Sequence, residues 1–145
     1  MPTRPGLACI PRSEAKGDRP GIQEAAAGVT ADDDSLVVHI SYGAVSFLLP
    51  GDITEKREAE LAARVPPATV LLAGRNGAAD ATSAAWLEAV SPSAVVFSVK
   101  PDPRTVLPAP EVVARTIFYP VWRTDEQGAV EWVTEGAGLR VVADK

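Results

Sequence analysis

The sequence predicts a mixed α/β (α+β) fold: a mixed sheet with helices packed against one face. Three observations carry that reading. Between residues 35 and 115, short apolar runs of strand length alternate with helix-length amphipathic stretches, the order that layered α/β folds require. Hairpin patterns stand at both ends, over 36–49 and 118–133. Thirteen prolines and eleven glycines supply the turns between them. A chain of 145 residues suits one domain, and a domain of that size buries about 68–70% of its unfolded surface.

The elements follow in order. Residues 1–31 carry Pro2, Pro5, Pro11 and Pro20 and no sustained apolar period, so they read as a disordered Pro/Gly/Ala-rich tail. The domain is expected over 32–145. Asp32-Asp33-Asp34 reads as a solvated turn, without the spaced oxygen ligands of a calcium loop. Leu36, Val38, Ile40 and Tyr42 alternate with Val37, His39 and Ser41, giving a strand with one strongly apolar face and one mixed face. Tyr42-Gly43-Ala44 is the tight connection, and Val45 to Leu49 is a strand covered on both faces.

Thr54 is placed to cap a helix that carries Glu55 and Glu58 in its first turn and stops before Pro66-Pro67. Thr69 to Leu72 is a short buried strand, and Gly74 to Ala81 a loop of small residues. A helix follows from Thr82 or Ser83 to Val90, with Trp86, Leu87 and Val90 inward. Ala94 to Val99 is the next strand and Glu111–Arg115 a short helix. Phe118 to Trp122 and Val130 to Val133 then form a hairpin, with Leu139 to Val142 as a last strand added to the sheet.

Bulk chemistry narrows the function. No apolar run approaches the roughly 20 residues of a membrane span, and no apolar signal segment opens the chain, so a cytoplasmic protein is expected. The single Cys9 has no internal disulfide partner. Residues 31–60 hold seven acids against Lys56 and Arg57, a local excess equal to the chain's net charge of −5. Phosphate binding rests on clustered Lys and Arg, so direct nucleic-acid binding is not expected. Trp86, Trp122 and Trp132 fit core and hairpin packing rather than a stacking platform for bases.

Four segments, in order and spacing, resemble the metallo-β-lactamase-like domain of the ComEC competence proteins. They are Ser35 to Asp52, Leu71 to Gly77, Trp86 to Val99, and Trp122 to Val130. The resemblance spans residues 33–135 and implies the C-terminal half of an αββα sandwich, one sheet face being left exposed. In that superfamily two divalent ions, zinc or manganese, activate a hydroxide for hydrolysis. Asp52 matches the bridging aspartate. The family's His-His loop reads here Gly74-Arg75-Asn76-Gly77, and its later histidines are replaced within Val106-Leu107-Pro108-Ala109-Pro110. No counterpart of the His-x-His-x-Asp-His cluster precedes Ser35.

The site expectations are therefore a vestigial metal position at Asp52, no catalytic residue and no bound cofactor. Gly74, Arg75, Asn76 and Gly77 form a candidate anion-binding loop, although the sequence lacks the Gly-Lys-Ser/Thr of a P-loop. His39 reads as a structural histidine. The first functional expectation is a non-catalytic, ComEC-like remnant with a structural or accessory role in DNA uptake, cytoplasmic or associated with a membrane uptake channel. Two alternatives stand beside it. One is a metal-dependent phosphodiesterase completed by a partner chain. The other is an interaction module that pairs with a protein partner or itself through the exposed sheet face.

Overall fold

The computed structural model describes residues 6–9 and 31–145. Six strands form one sheet in the order β1-β2-β3-β4-β5-β6. They are β1 (Gly6–Cys9), β2 (Val38–Tyr42), β3 (Val45–Leu49), β4 (Val70–Leu72), β5 (Ala94–Phe97) and β6 (Val121–Arg123). β1, β2 and β3 pair antiparallel, and β3 through β6 pair parallel. Helices α1 (Glu55–Leu61), α2 (Ala84–Val90) and α3 (Pro110–Arg115) occupy the crossovers between the parallel strands, while a one-turn helix α4 (Thr124–Gln127) follows β6. β7 (Val130–Thr134) and β8 (Leu139–Ala143) make a separate antiparallel pair. The class is mixed α+β, as the sequence predicts.

Alternation along the strands sorts residues between two faces. Leu48, Leu71, Val95 and Phe97 are fully buried against Leu61, Trp86, Leu87, Val90 and Val112 from the helices. This is the main core. α2 is well specified locally: the Ser83 hydroxyl caps it by accepting the Trp86 N–H at 3.2 Å, and Ser91 ends it in the left-handed region at φ 48°. β5, buried along its whole length, is the continuous apolar run expected of a central parallel strand.

The opposite face carries Phe47, Leu49, Val70, Leu72 and Val96. With Thr124, Val130 and Trp132 they line an apolar groove of about 240 Å³. The β7–β8 hairpin stands over this face, fastened at its turn by the Ala44 N–H donating to the Gly136 carbonyl at 2.6 Å. Trp132 meets Trp122 edge to face, with ring centroids 5.9 Å apart.

Three expectations are corrected. Gly6–Cys9, inside the stretch read as a tail, forms the edge strand β1 with Leu7 opposite Ile40; residues 1–5 and 10–30 of that stretch lie outside the described residues. Four residues flanked by Pro5 and Pro11 are too short to show a strand period in sequence. On β2, His39 is turned to the helices, opposite the fully buried Leu48; Val37, just before the strand, is buried, and Leu36 is left 63% exposed.

The three aspartates form a 3-10 turn, Ala31–Asp34, and Asp33 is buried rather than solvated. The C-terminal hairpin is also differently paired. β6 joins β5 in parallel, and β7 pairs only with β8. α4 turns the chain out of the sheet between them. The Arg123 N–H donates to the Gln127 side chain at 2.5 Å, and Gly128 takes φ 75°. Among the described residues, no helix is long and apolar enough to cross a membrane.

Candidate functional site

Open α/β sheets place their sites beyond the carboxyl ends of the parallel strands. Three segments converge there in this chain. β3 runs into Gly51, at φ 66°, and exposed Asp52. β4 runs into the Gly74–Gly77 3-10 turn. The Val106–Glu111 segment arrives beneath it, through the Ala109 N–H donating to the Gly77 carbonyl at 2.8 Å. Arg75 joins the first two, its N–H donating to the Gly51 carbonyl at 3.1 Å. The fold thus gathers Asp52, the glycine-bracketed loop and the proline segment in one place, although they are distant in sequence.

The loop is tightly built. Arg75 and Asn76 both sit in the left-handed region, at φ 49° and 56°, a conformation non-glycine residues seldom adopt in succession. Gly77, at φ 82°, is packed so closely that a Cβ would fall 2.6 Å from the Pro108 Cβ and 2.8 Å from the Phe97 ring. A side chain there has no room, whatever its conformation.

The two arginines at these strand ends are paired within the chain. Arg75 Nη1 lies 2.8 Å from Asp80 and Nη2 3.2 Å from Asp32. Arg123, at the carboxyl end of β6, is held by both oxygens of Asp125, at 3.0 and 2.7 Å, with Glu126 at 3.1 Å. That guanidinium keeps the Asp125 carboxyl below the usual carboxylate range. An external anion therefore competes at Arg75 with two resident carboxylates.

Beneath the loop lies a carboxylate the sequence did not single out for this role. Glu58 on α1 is 0% exposed and accepts the N–H groups of Thr82 at 2.6 Å and Ser83 at 2.9 Å. Burial pushes its carboxyl above the usual carboxylate range, against the pull of those donors. The Thr82 hydroxyl accepts the Gly74 N–H at 3.0 Å, so α1, the loop and the start of α2 form one buried network. A sequence signal exists for it. Glu58 shares the stripe of Leu61, Ala62 and Val65 at helical spacing, where an apolar residue is the norm.

Asp33 is a second missed residue. It accepts both the N–H and the hydroxyl of Thr54, at 2.8 and 2.7 Å, which fixes the 3-10 turn to the start of α1. His39 stands apart, with Nε2 3.2 Å from the Pro67 carbonyl.

The donor set does not fit the metal pair that the ComEC resemblance implies. A guanidinium has no lone pair to give, and Asn76, Pro108 and Ala109 stand where the resemblance implies imidazoles. Among the described residues, no three His, Cys, Asp or Glu side chains are placed to hold one ion. Compared with protein-family models and with curated proteins, the chain matches none.

Proposed function

We propose that the chain is a non-catalytic domain of ComEC-like, metallo-β-lactamase type, with a structural or accessory role in DNA uptake. The pairing of Arg75 with Asp32 and Asp80 carries this reading. It sets a fixed, internally neutralised cation where hydrolysis would need lone-pair ligands for two ions. The acidic rim points the same way, since exposed Asp34, Asp52 and Glu55 repel a phosphate backbone.

Two measurements test the proposal. Purified protein supplied with magnesium, manganese or zinc should nick plasmid DNA no faster than a boiled control. In the natural host, deletion of the gene should lower transformation frequency, and a copy carrying Asp52→Asn should restore it in full. Metal-dependent nicking abolished by Asp52→Asn would establish an enzyme instead. Unchanged transformation in the deletion strain would remove the link to DNA uptake.

A further inference from the structure

Asn76 is the one asparagine of the chain, and a glycine follows it. It is exposed on the Gly74–Gly77 turn. An Asn-Gly pair is chemically labile, because glycine has no Cβ to hinder its nitrogen from closing on the preceding side-chain amide.

The backbone here holds the two groups apart. At ψ 24° the Gly77 nitrogen nearly eclipses the Asn76 nitrogen across the Cα–C bond, and so is turned away from Cβ. Ring closure needs it on the side of Cβ. The surroundings resist that rotation. The Ala78 N–H donates to the Arg75 carbonyl at 3.1 Å, and the Ala109 N–H to the Gly77 carbonyl at 2.8 Å. Gly77 itself is wedged between Pro108 and the Phe97 ring.

We propose that Asn76 is a self-modifying site, converted to aspartate and isoaspartate through a cyclic imide, and that the native turn confines this conversion to molecules in which it has opened. Hydroxide removes the Gly77 N–H proton, and the nitrogen attacks Asn76 Cγ. The N–Cγ bond forms and the Cγ–Nδ2 bond breaks; the leaving nitrogen takes a proton from water and departs as ammonia. Water then opens the imide at either carbonyl. Addition at Cγ leaves aspartate, and addition at the backbone carbonyl leaves isoaspartate, with the main chain routed through Cγ. One water is consumed and one ammonia released. Isoaspartate adds a backbone atom next to Gly77, where the packing leaves no room.

Glu58 governs the opening. It accepts the Thr82 N–H, and the Thr82 hydroxyl accepts the Gly74 N–H at the start of the turn. Losing Glu58 raises the fraction of molecules whose turn is open.

The test follows the full chain over time at mildly alkaline pH, folded in buffer and unfolded in guanidinium chloride. Trypsin releases residues 76–100 as one peptide, in which Asn76 is the only carboxamide side chain, so a one-dalton gain there reports this residue alone. The unfolded chain should convert at least about tenfold faster than the folded one, since the reaction tracks the opened fraction. It should give two products of equal mass. Glu58→Ala in buffer should convert faster than the wild type, and at the unfolded rate if the variant does not fold. Conversion in buffer as fast as in guanidinium chloride overturns the proposal, because the turn then protects nothing. A peptide that keeps its mass in guanidinium chloride, a single product, or a Glu58→Ala rate equal to that of the wild type overturns it as well. None of these rates depends on nuclease activity or on transformation.

Discussion

Glu58 and Arg75 sit on neighbouring segments at the same end of the sheet, one sealed from water and the other 28% exposed at its side chain. Both bind partners on other segments, Glu58 at Thr82 and Ser83, and Arg75 at Asp32 as well as the nearby Asp80. Glu58 accepts two backbone N–H groups, so its contacts replace solvation that folding removed. Arg75 pairs with two carboxylates that water also reaches, and such pairs contribute about 0–1 kcal/mol each. The difference separates stability from position: the buried carboxylate holds the fold, and the exposed guanidinium sets where a surface segment lies.

The largest effect expected from this contrast is at Glu58. Glu58→Ala strands the Thr82 and Ser83 N–H groups and opens a cavity beside Gly74. A loss of about 3 kcal/mol is expected, less whatever is regained by no longer burying a carboxylate. Urea titration checks it through the unfolding midpoint. A loss under about 1 kcal/mol would place Glu58 in the class of Arg75 and dissolve the distinction.

Gly77→Ala should follow, at about 2 kcal/mol, because the added methyl must displace the backbone-bound Pro108 segment and the Phe97 ring. The same titration reads it. If the variant is as stable as the wild type, the loop has the freedom of the exposed Arg75 surface rather than the rigidity of the Glu58 network.

Legibility in the sequence divides along the same line. α2 was readable because its determinants are local: Ser83 as cap, Trp86, Leu87 and Val90 at helical spacing, and Ser91-Pro92 as the stop. β5 was readable as an unbroken apolar run. The vicinity of Asp52, the Gly74–Gly77 loop and the proline segment follows from the parallel strand order, which no local pattern encodes. Other features depend on pairings that no local period encodes. β1 is too short to show alternation. β6 leaves the predicted hairpin because Arg123, Asp125 and Gln127 close α4 on themselves. Asp33 and Glu58 look like ordinary surface acids until Thr54, Thr82 and Ser83 are brought against them. A charged residue on an apolar stripe was the one visible clue, and it appeared only at Glu58.

The smallest effect is a pH dependence, and its sign distinguishes a buried carboxylate from a paired one. In the unfolded chain Glu58 titrates near 4.5; in the fold its value is raised, chiefly by burial, with Glu55 adding repulsion. Between those two values the folded protein holds a proton that the unfolded chain has released. Stability from this group is therefore complete below 4.5 and is lost as pH rises through the folded value. Asp125 acts with the opposite sign: its lowered value gives stability that is lost only at more acid pH, outside this window. Glu58→Gln keeps the side-chain shape and one acceptor oxygen but has no proton to exchange. Melting the two proteins at pH 7 and pH 5 isolates this contribution. On acidification the wild type should gain melting temperature relative to Glu58→Gln, in the direction set by the raised value. If the two proteins track each other between pH 7 and 5, the donors at Thr82 and Ser83 offset the burial fully, and Glu58 is charged in the core throughout.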